Sequence, residues 1–490
     1  MGQISETTTN KCKFVYLRFR FQISFCVIKK RLKMFSKQTY INRRVSLKKA
    51  VGSGILLFLG NEESGMNYED NTYDFRQDST FLYYFGLPYA GLTAIIDIDE
   101  DKEIIFGDEL SIDHIVWMGT QPTLKEKSEK IGVSQTMPSA DIRVYLKKAL
   151  DKGQTVHYLP PYRAEHKLKF SEWLDLKVPQ QQGSVPFIRA VVNQRIYKSA
   201  EEIVEIEKAC NITADMHMTA MRCAQIGMKE YEVVAALESV ATAAGGRLSF
   251  PTIATINGQT LHNHSHSNTI KEGDMLLIDA GAETSMGYAG DMSSTIPAGK
   301  KFSSRQKEIY DIQVASHLAA VQALRPGIPF KEVYELSAQV ICEGLKSLGI
   351  MKGDPAEAVY AGAHAMFFPC GLGHMMGLDV HDMENLGEVW VGYNGEPKSA
   401  QFGRKSLRLG RKLEPGFVLT IEPGVYFIPE LIDLWRSEKK FTDFINYDKL
   451  ETYKDFGGIR NEEDYLITDT GSHLLGKKIP LTTDEVEALR

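Results

Sequence analysis

Five side chains spread over nearly two hundred positions have the chemistry of ligands for divalent metal ions. Four are carboxylates and one is an imidazole: Asp279, Asp291, His374, Glu422 and Glu462. Oxygen and nitrogen donors of this kind suit Mn²⁺, Co²⁺, Fe²⁺ or Zn²⁺ better than they suit an ion that prefers thiolates. One such residue alone would most often be a solvated or capping group. Because four negative charges match two divalent cations, the set predicts a dinuclear metal centre.

The first two of these residues are spaced as the arms of a hairpin. Asp279 follows the apolar run MLLI, and Asp291 comes twelve residues later, beyond a glycine-rich turn and at the start of a second strand-like stretch. This is enough chain for a tight hairpin. We therefore expect one hairpin to bring both carboxylates together.

The local phrases around the five residues resemble those of a known enzyme family. The phrases are LLIDAGAE, GYAGDMSSTIP, GLGHMMGLDVHD, LTIEPGVY and GGIRNEED. They resemble the pita-bread metallopeptidases, in the branch that contains Xaa-Pro aminopeptidase (aminopeptidase P) and prolidase. The resemblance runs from about Met34 onward and is densest between Phe250 and Thr468. It implies an α/β (α+β) fold, with an N-terminal creatinase/aminopeptidase P-like α/β domain followed by a C-terminal pita-bread catalytic domain.

The resemblance also implies a role for each ligand. Asp279 is expected to bind one metal through both oxygens and to touch the free amino terminus of the substrate. Asp291 and Glu462 are expected to bridge the two metals, and His374 and Glu422 to complete the coordination of one. Two such ions lower the pKa of a shared water from 15.7 to roughly 7, which yields hydroxide near neutral pH. Glu422 is also expected to act as the catalytic proton shuttle.

Two histidines match substrate-binding positions of the family. His262, in NGQTLHNHSHS, and His381, in GLDVHD, are expected to orient the scissile carbonyl or to stabilise its developing oxyanion. Two further histidines in the first phrase, His264 and His266, are interpreted as solvated or supporting residues. A histidine cluster of this kind would otherwise suggest zinc. The carboxylate set is the better candidate for the metal.

Two positions near the ligands have alternative interpretations. Arg460 resembles the arginine that faces the residues beyond proline in the substrate, and a structural salt bridge is its alternative role. Tyr426 is a weaker candidate for the wall of the site, because an aromatic residue in a core is the commoner case.

One position departs from the family pattern. The residue before GLGH is Cys370, where the family places a substrate-facing histidine. A thiol is a weak donor and cannot supply a cationic imidazole. We therefore expect Cys370 to alter turnover, pH optimum or substrate choice while metal binding survives. Metal binding or oxidation of this thiol is a further alternative.

These matches predict an Xaa-Pro aminopeptidase that uses a dinuclear metal-bound hydroxide, with Mn²⁺ as the expected ion. Xaa-Pro dipeptidase (prolidase) is the alternative, because the phrase LEPGFVLTIEPGVYFI and the long stretch before it resemble prolidases equally well. Cleavage of dipeptides only, or also of longer Xaa-Pro peptides, separates the two. A catalytically impaired peptide-binding protein is a third alternative, suggested by Cys370.

The amino-acid composition limits the kinds of molecule that the protein is expected to bind. The formal net charge of -6 gives no broad basic field for nucleic acid or anionic lipid, so neither partner is expected. The resemblance implies that the substrates are small peptides with proline at the second position. A homo-oligomer, either dimer or tetramer, is expected from the resemblance. The six cysteines are dispersed in a chain too large to need disulfides, which predicts a reducing cytoplasm.

Several elements are predicted to position these residues. The N-terminal part should contain a helix over 37–50, a strand at ILLFLG, a hairpin in LTAIIDIDEDKEIIFG and a strand at TVHYLPPY. The segment VPQQQGSVPFIRAVVNQ is predicted to be a linker or interdomain surface. Capping pairs, Ser199 with Glu202 and Ser303 with Gln306, predict the starts of two long helices, and PFKEVYELSAQVICEGLKSLG predicts a third.

At 490 residues the chain exceeds what one hydrophobic core normally supports, so two domains are expected. We predict an N-terminal domain over 34–187 and a catalytic domain over 188–490. Residues 1–33 are predicted to be an extension that is not native, with Met34 as the biological start.

Overall fold

The N-terminal part of the chain forms a five-stranded mixed sheet with helices on both faces. The computed structural model describes residues 34–490, and the predicted extension lies outside the described residues. The strands are β1 Ile55–Leu59, β2 Thr93–Asp97, β3 Lys102–Phe106, β4 Gln135–Met137 and β5 Val156–Tyr158, in the order β4-β3-β2-β1-β5. The helices are α1 Lys37–Val51, α2 Ser79–Phe85, α3 Ile112–Met118, α4 Leu124–Lys130, α5 Asp141–Asp151, α6 Ala164–Leu174 and α7 Val185–Arg195. The predicted first helix and the β2–β3 hairpin are confirmed.

The central strand β1 is buried on both faces. Its side chains alternate, because successive residues of a strand point to opposite faces. Ile55 and Leu57 belong to the core beneath α5 and α6, whereas Leu56 and Phe58 belong to the larger core on the other face. Burial on two sides explains why ILLFLG is a continuous apolar run without polar alternation.

The segment predicted as a linker contains a buried helix. Pro186 lies in the first turn of α7, where its missing N–H is no loss. Apolar side chains follow at helical spacing and are buried at Phe187, Ile188, Val191 and Val192. The Gln- and Gly-rich stretch before them hid this pattern in the sequence. The division of the chain after residue 187 stays a prediction, and it falls within this helix.

The remainder of the chain combines long helices with several small antiparallel sheets. The helices are α8 Ala200–Cys223, α9 Glu230–Ala243, α10 Ser304–Ala323, α11 Phe330–Ser347, α12 Pro355–Ala361, α13 Glu388–Val391, α14 Pro429–Ser437, α15 Tyr447–Glu451 and α16 Thr483–Leu489. The strands are β6 Arg247–Leu248, β7 Ile253–Thr255, β8 Met275–Ala280, β9 Ala282–Glu283, β10 Met292–Pro297, β11 Val418–Ile421, β12 Gly424–Phe427, β13 Gly457–Arg460, β14 Glu463–Ile467 and β15 Ser472–Leu474. They pair as β10-β8-β7, β11-β14-β15, β12-β13 and β6-β9.

The two predicted capping boxes are confirmed. Ser199 and Glu202 cap α8, and Ser303 and Gln306 cap α10, each pair satisfying two free backbone N–H groups at a helix start. The predicted third helix is α11. Within residues 34–490, none of the helices has both the length and the apolar character needed to cross a bilayer.

A histidine is buried without charge between α11 and the turn that follows α12. The Tyr334 hydroxyl lies 2.9 Å from His364 Nε2, and both side chains are buried. His364 Nδ1 has no hydrogen-bond partner. Burial, reinforced by the nearby Arg404, lowers the pKa of His364 to about 3. The imidazole is therefore neutral in the folded protein across the physiological range.

We expect His364 to make the protein less stable in acid. The pKa is about 3 when folded and 6.5 for a free imidazole, so the unfolded chain binds one more proton between these values. The free energy of unfolding should therefore fall as pH decreases from 6.5 to 3, by about 1.4 kcal/mol per pH unit from this group. The free energy of unfolding, measured with urea at several pH values in this range, should depend less steeply on pH in His364→Gln. The glutamine amide is chosen because it can still hydrogen-bond to the Tyr334 hydroxyl. Equal slopes for the two proteins would exclude this contribution.

Candidate metal centre and substrate cleft

The predicted hairpin brings Asp279 and Asp291 to one place. Asp279 lies in β8, and Asp291 immediately precedes β10, which pairs with β8 in antiparallel register. A Cβ atom on Gly281 would lie 2.0 Å from the carbonyl oxygen of Gly290. Only glycine therefore allows the two arms of the hairpin to approach this closely beside the carboxylates.

Backbone hydrogen bonds fix the positions of the other three residues predicted as ligands. The N–H of Thr420, in β11, donates to the carbonyl of His374 at 3.0 Å. The N–H of Glu422 donates to the carbonyl of Leu372 at 2.7 Å, so the chain segments of these two ligands run side by side. The N–H of Glu462 donates to the carbonyl of Ser293, in β10, at 3.0 Å. Residues far apart in sequence are thus fixed around one centre.

Three of the five predicted ligands form a tight cluster. Single donor atoms of Asp291, His374 and Glu462 all lie within 4.8 Å of one another, and all three residues are buried. His374 Nε2 is 3.3 Å from Asp291 Oδ2 and 3.8 Å from Glu422 Oε1. Glu422 and Asp279 line the same cleft. All five residues predicted as ligands therefore converge.

The free atoms of this cluster fit bound cations. The Oδ1 atoms of Asp279 and Asp291 are buried and have no hydrogen-bond partner. Buried polar atoms are normally satisfied, so two buried carboxylate oxygens without partners beside one cleft fit cation ligands. His374 Nδ1 is 3.1 Å from the carbonyl of Met375, a contact that directs the lone pair of Nε2 toward the carboxylates.

The electrostatics of the centre favour added positive charge. Burial, together with neighbouring carboxylates, raises the pKa of Asp291 and of Glu462 well above their usual values. Burial likewise raises the pKa of Glu422, although His374 and Arg460 oppose the shift. Clustered carboxylates resist ionisation together unless cations compensate them. Divalent ions would supply that compensation.

Arg460 makes the salt bridge that was its alternative role. Its Nη2 donates to Asp279 Oδ2 at 2.5 Å, its Nη1 to the Tyr426 hydroxyl at 2.8 Å and its Nε to Ser293 Oγ at 2.9 Å. Arg460 is buried and also borders the cleft. Tyr426 is a buried core residue packed with Ile253 and Leu277. A substrate contact of Arg460 stays a prediction.

The two predicted substrate histidines lie in the cleft near the cluster. The cleft has a volume of about 500 Å³, and His262 lines it together with His381. The His381 ring is 4.2 Å from that of His374, edge to face, and its Nδ1 is 2.6 Å from Glu384 Oε2. Burial, and then His374, lowers the pKa of His381 to about 4. His264 lines the cleft as well.

Cys370 lies in the wall of the cleft, at the position expected from the sequence. Burial, followed by the nearby Glu422, raises the pKa of its thiol to about 12. The thiol is therefore protonated and uncharged near neutral pH, unlike a reactive thiolate. It offers only a weak donor where the family pattern has an imidazole.

One charged residue of the cleft was missed in the sequence. Arg408 lines the cleft beside His381, and its Nε is 3.4 Å from Glu384 and 3.7 Å from Glu388. Its phrase, RKSLRLGRK, contains five cations, and nothing in their spacing indicates which one faces the substrate. Only the return of this loop toward the metal cluster selects Arg408.

Comparison with known proteins agrees with this geometry. Residues 204–469 match the profile described as metallopeptidase family M24, and residues 40–158 match the N-terminal domain of aminopeptidase P. The human Xaa-Pro dipeptidase is 31% identical over 449 residues, which cover 90% of this chain and 89% of that protein. The Escherichia coli Xaa-Pro aminopeptidase is 32% identical over 471 residues, covering 93% and 98%.

Solved structures show the same similarity. Proline aminopeptidase P II from Yersinia pestis superposes with a TM-score of 0.77 at 29% identity, covering 93% of this chain and 99% of that one. A zinc-substituted E. coli aminopeptidase P in complex with product superposes with a TM-score of 0.76 at 30% identity, covering 93% and 98%. The predicted fold class, an aminopeptidase P-like domain followed by a pita-bread domain, is confirmed.

We expect Asp291→Asn to have opposite effects on stability with and without metal. In the metal-free protein it replaces a buried carboxyl group, whose ionisation the neighbouring carboxylates oppose, by a neutral amide, so the midpoint of thermal unfolding should rise. Saturating Mn²⁺ should stabilise the natural protein, by about 2.7 kcal/mol at one hundred times the Kd. The variant should lose most of that gain.

Thermal unfolding with Mn²⁺ and with a chelator measures both effects. Asp97→Asn is the matched control, because Asp97 is a buried carboxylate of the N-terminal sheet, far from the cleft. It should retain the natural gain on adding Mn²⁺. An unchanged gain in Asp291→Asn would exclude Asp291 as a ligand.

Proposed function

The chain belongs to metallopeptidase family M24 and is a metal-dependent hydrolase, and from that premise we propose that it is an Xaa-Pro aminopeptidase. It would hydrolyse the bond between the first residue of a peptide and a following proline. The observation that carries the proposal is the cluster of Asp291, His374 and Glu462 at the base of a cleft of about 500 Å³. Donor atoms for metal and space for a peptide meet there.

Two divalent cations would be held by the five predicted ligands, with Mn²⁺ as the proposed ion. Carboxylate and imidazole donors suit Mn²⁺ and also Co²⁺, Fe²⁺ or Zn²⁺. When bound, such ions supply Lewis acidity and make a water molecule nucleophilic near neutral pH. The orphaned oxygens of Asp279 and Asp291 support this assignment.

Glu422 is proposed to move the proton. Its side chain is 20% exposed, toward the cleft, while its backbone is fixed beside Leu372. As the oxygen of water bonds to the carbonyl carbon, one water proton passes to Glu422. The carbon–nitrogen bond then breaks, and the same proton passes to the nitrogen of the leaving proline. Positioned proton transfer of this kind contributes about 10²–10⁴ in rate.

Other residues of the cleft are proposed to hold the substrate. His262 would donate a hydrogen bond to the scissile carbonyl or to its developing oxyanion, an interaction of about 2.7–4 kcal/mol in other enzymes. His381, whose Nδ1 proton faces Glu384, would donate to the same oxygen through Nε2 when it is an imidazolium. Asp279 would contact the free amino terminus, which limits cleavage to the first residue. Arg460, which already binds Asp279, would support that carboxylate and border the residues beyond proline.

Proline requires a dedicated site of this type. Its tertiary amide has no N–H and its φ is fixed, so a peptidase that binds substrate as an extended strand loses a hydrogen bond there. A site that instead fixes the amino terminus and the carbonyl oxygen does not need that hydrogen bond. This supports small peptides with proline at the second position as the substrates.

Xaa-Pro dipeptidase is the second candidate, and Arg408 is the observation that favours it. The Arg408 side chain lines the cleft and is 32% exposed, with its Nε directed toward Glu384 and Glu388. A guanidinium pairs well with a carboxylate. The terminal carboxylate of a dipeptide, one residue beyond the scissile bond, would offer that partner close to the metal cluster.

We expect Mn²⁺-dependent release of the first residue from Xaa-Pro-Yaa tripeptides. The measurement is hydrolysis of matched Xaa-Pro and Xaa-Pro-Yaa peptides, with Mn²⁺ added or chelated. Glu422→Gln should lower kcat by about 10²–10⁴, because it removes the proton carrier. Cleavage of dipeptides alone would favour the dipeptidase.

The same assay with Cys370→His tests the effect of having cysteine, in place of the family's histidine, in the wall of the cleft. The imidazole restores a strong donor, so turnover of the variant should equal or exceed that of the natural protein. If the natural protein is inactive with every metal and the variant is active, the natural protein is a peptide-binding relative that has lost catalysis.

We also propose that the protein is a homo-oligomer, either a dimer or a tetramer. Helix α3 has no buried residue, and its apolar side chains face solvent. Trp117 is 86% exposed, Val116 73%, Ile112 72% and Met118 67%. A cluster of large apolar side chains at the surface indicates an interaction site. A second copy of this chain is the proposed partner.

We expect Trp117→Ser combined with Val116→Ser to shift the oligomer toward smaller species, because the pair removes two of the exposed apolar side chains. Light scattering after size exclusion measures the mass. Leu168→Ser is the matched control, because Leu168 is 71% exposed on α6 but outside this helix. An unchanged mass in the double variant, or a monomeric natural protein, would contradict the assignment of this surface.

The proposed domain division is 34–187 and 188–490. It is supported by the two matched profiles, which cover residues 40–158 and 204–469 and leave the proposed boundary between them. The proposed compartment is the reducing cytoplasm. It is supported by the dispersed cysteines and by the free thiols of Cys210, Cys223, Cys342 and Cys370.

A further inference from the structure

We propose that a buried ion cluster, formed by Arg195, Lys198 and Asp382, positions His381 for the reaction and couples it to the N-terminal part of the chain. These three residues are called the clamp. The inference rests on the proposed peptidase function, because it assigns positioning residues to that site. None of the three is among the proposed ligands or substrate contacts.

The clamp acts on the loop that carries two site histidines. The N–H of Asp382 donates to the carbonyl of Met375 at 2.8 Å, and the N–H of Gly377 donates to the carbonyl of Asp379 at 3.0 Å. These bonds fold residues 375–382 back on themselves. The fold places the ring of His381 4.2 Å from the ring of His374. The orientation of His381 is therefore set by whatever fixes this loop.

Asp382 fixes the loop from behind with two cations. Its Oδ1 accepts from Arg195 Nη2 at 2.8 Å, and its Oδ2 accepts from Lys198 Nζ at 2.9 Å. The three side chains are at most 2% exposed. Arg195 also binds Asp379 Oδ2 at 3.0 Å, so the same guanidinium holds the loop at two points. With Asp379, whose side chain is 33% exposed, the group contains two cations and two carboxylates and is electrically balanced.

The space around the clamp is closed. A Cβ atom on Gly377 would lie 2.8 Å from Asp382 Oδ2 and 2.8 Å from Lys198 Cε. The loop backbone thus packs directly against the ion pair. Any change in the position of Lys198 or Asp382 is transmitted to the backbone that leads to His381.

The clamp is anchored in the N-terminal part of the chain. Arg195 Nη1 donates to Thr80 Oγ1, in α2, at 2.8 Å. The neighbouring Ser79 donates to Asp379 Oδ1 at 2.5 Å, and Arg76 Nη2 donates to the carbonyl of Leu378 at 2.6 Å. Residues 76–80 therefore contact the catalytic loop both directly and through Arg195. The N-terminal part thus contributes to the placement of a site residue.

Stability alone is a weak reason for such a cluster. Removing several charges from water is costly, and a buried ion pair is often no more stabilising than apolar residues of the same volume. What a buried pair supplies is a defined geometry, because each charge must face its partner. A loop that must hold an imidazole in one orientation has use for that property.

The test compares a charge-balanced double variant with a matched one. Lys198→Met with Asp382→Asn removes one cation and one anion, so no unpaired charge is created. We expect kcat for an Xaa-Pro-Yaa peptide to fall by 10- to 100-fold with KM changed less than threefold, because a displacement of about 1 Å in an active site costs on the order of 10² in rate. Bound Mn²⁺, measured by elemental analysis, should not change. Lys198→Met alone leaves a buried anion short of one cation and should unfold more readily.

The matched control is Arg44→Met with Glu103→Gln. This pair is also mostly buried, with Arg44 Nε 2.8 Å from Glu103 Oε2, but it joins α1 to β3 and does not line the cleft. It should lower stability and leave kcat unchanged. Natural kcat in the clamp variant, or an equal loss in the control, would overturn the proposal.

Hydrogen exchange measures, independently of activity, whether the clamp holds the loop in place. Mass spectrometry of peptides covering residues 374–384 should show exchange at least tenfold faster in the clamp variant than in the natural protein, with no change there in the control. Unchanged protection of this loop overturns the proposal. If the natural protein cleaves no Xaa-Pro peptide with any metal, the proposed function fails, and the exchange result still decides whether the clamp holds the loop.

Discussion

The repulsion among buried carboxylates is the constraint on which this structure depends. Like charges at low dielectric resist being brought together. The fold nevertheless fixes Asp279, Asp291, Glu422 and Glu462 around one cleft and gives a direct arginine contact to only one of them, Asp279, among the residues described. A rigid surrounding backbone holds such an arrangement together, and cations would complete its charge balance.

The rigidity comes from backbone contacts that leave no space for side chains. Gly281 meets the carbonyl of Gly290 beside the first two carboxylates, and a Cβ on Gly373 would lie 2.0 Å from the carbonyl of Thr420 beside His374. Each ligand thus sits on a strand, or next to one, whose position is fixed by its partners. A site built in this way holds its donors in place before metal binds, so less of the binding energy is lost to reorganisation.

The N-terminal part of the chain also contributes to the rigidity of the site. Its sheet is buried on both faces and therefore provides a stiff support, and α7 passes from that sheet toward the catalytic loop. Arg195 at the end of α7 and Thr80 in α2 meet behind His381. The two parts of the chain are consequently joined next to the site, and helix α7 occupies the segment that was expected to be a linker or interdomain surface.

Local patterns in the sequence were sufficient to predict many features of the fold and of the candidate site. The five candidate ligands, the glycines beside them, the capping boxes of α8 and α10 and the β2–β3 hairpin all follow from patterns within a few residues, because side-chain chemistry and hydrogen bonding at helix ends act locally. Tertiary structure alone decided that Arg460 binds Asp279, that Arg408 is the cation of its basic run that faces the cleft, and that Arg195 and Lys198 meet Asp382. These contacts join residues more than a hundred positions apart, or select one of several equivalent cations. Nothing local distinguishes them, because their partners are set by how the sheets and helices pack.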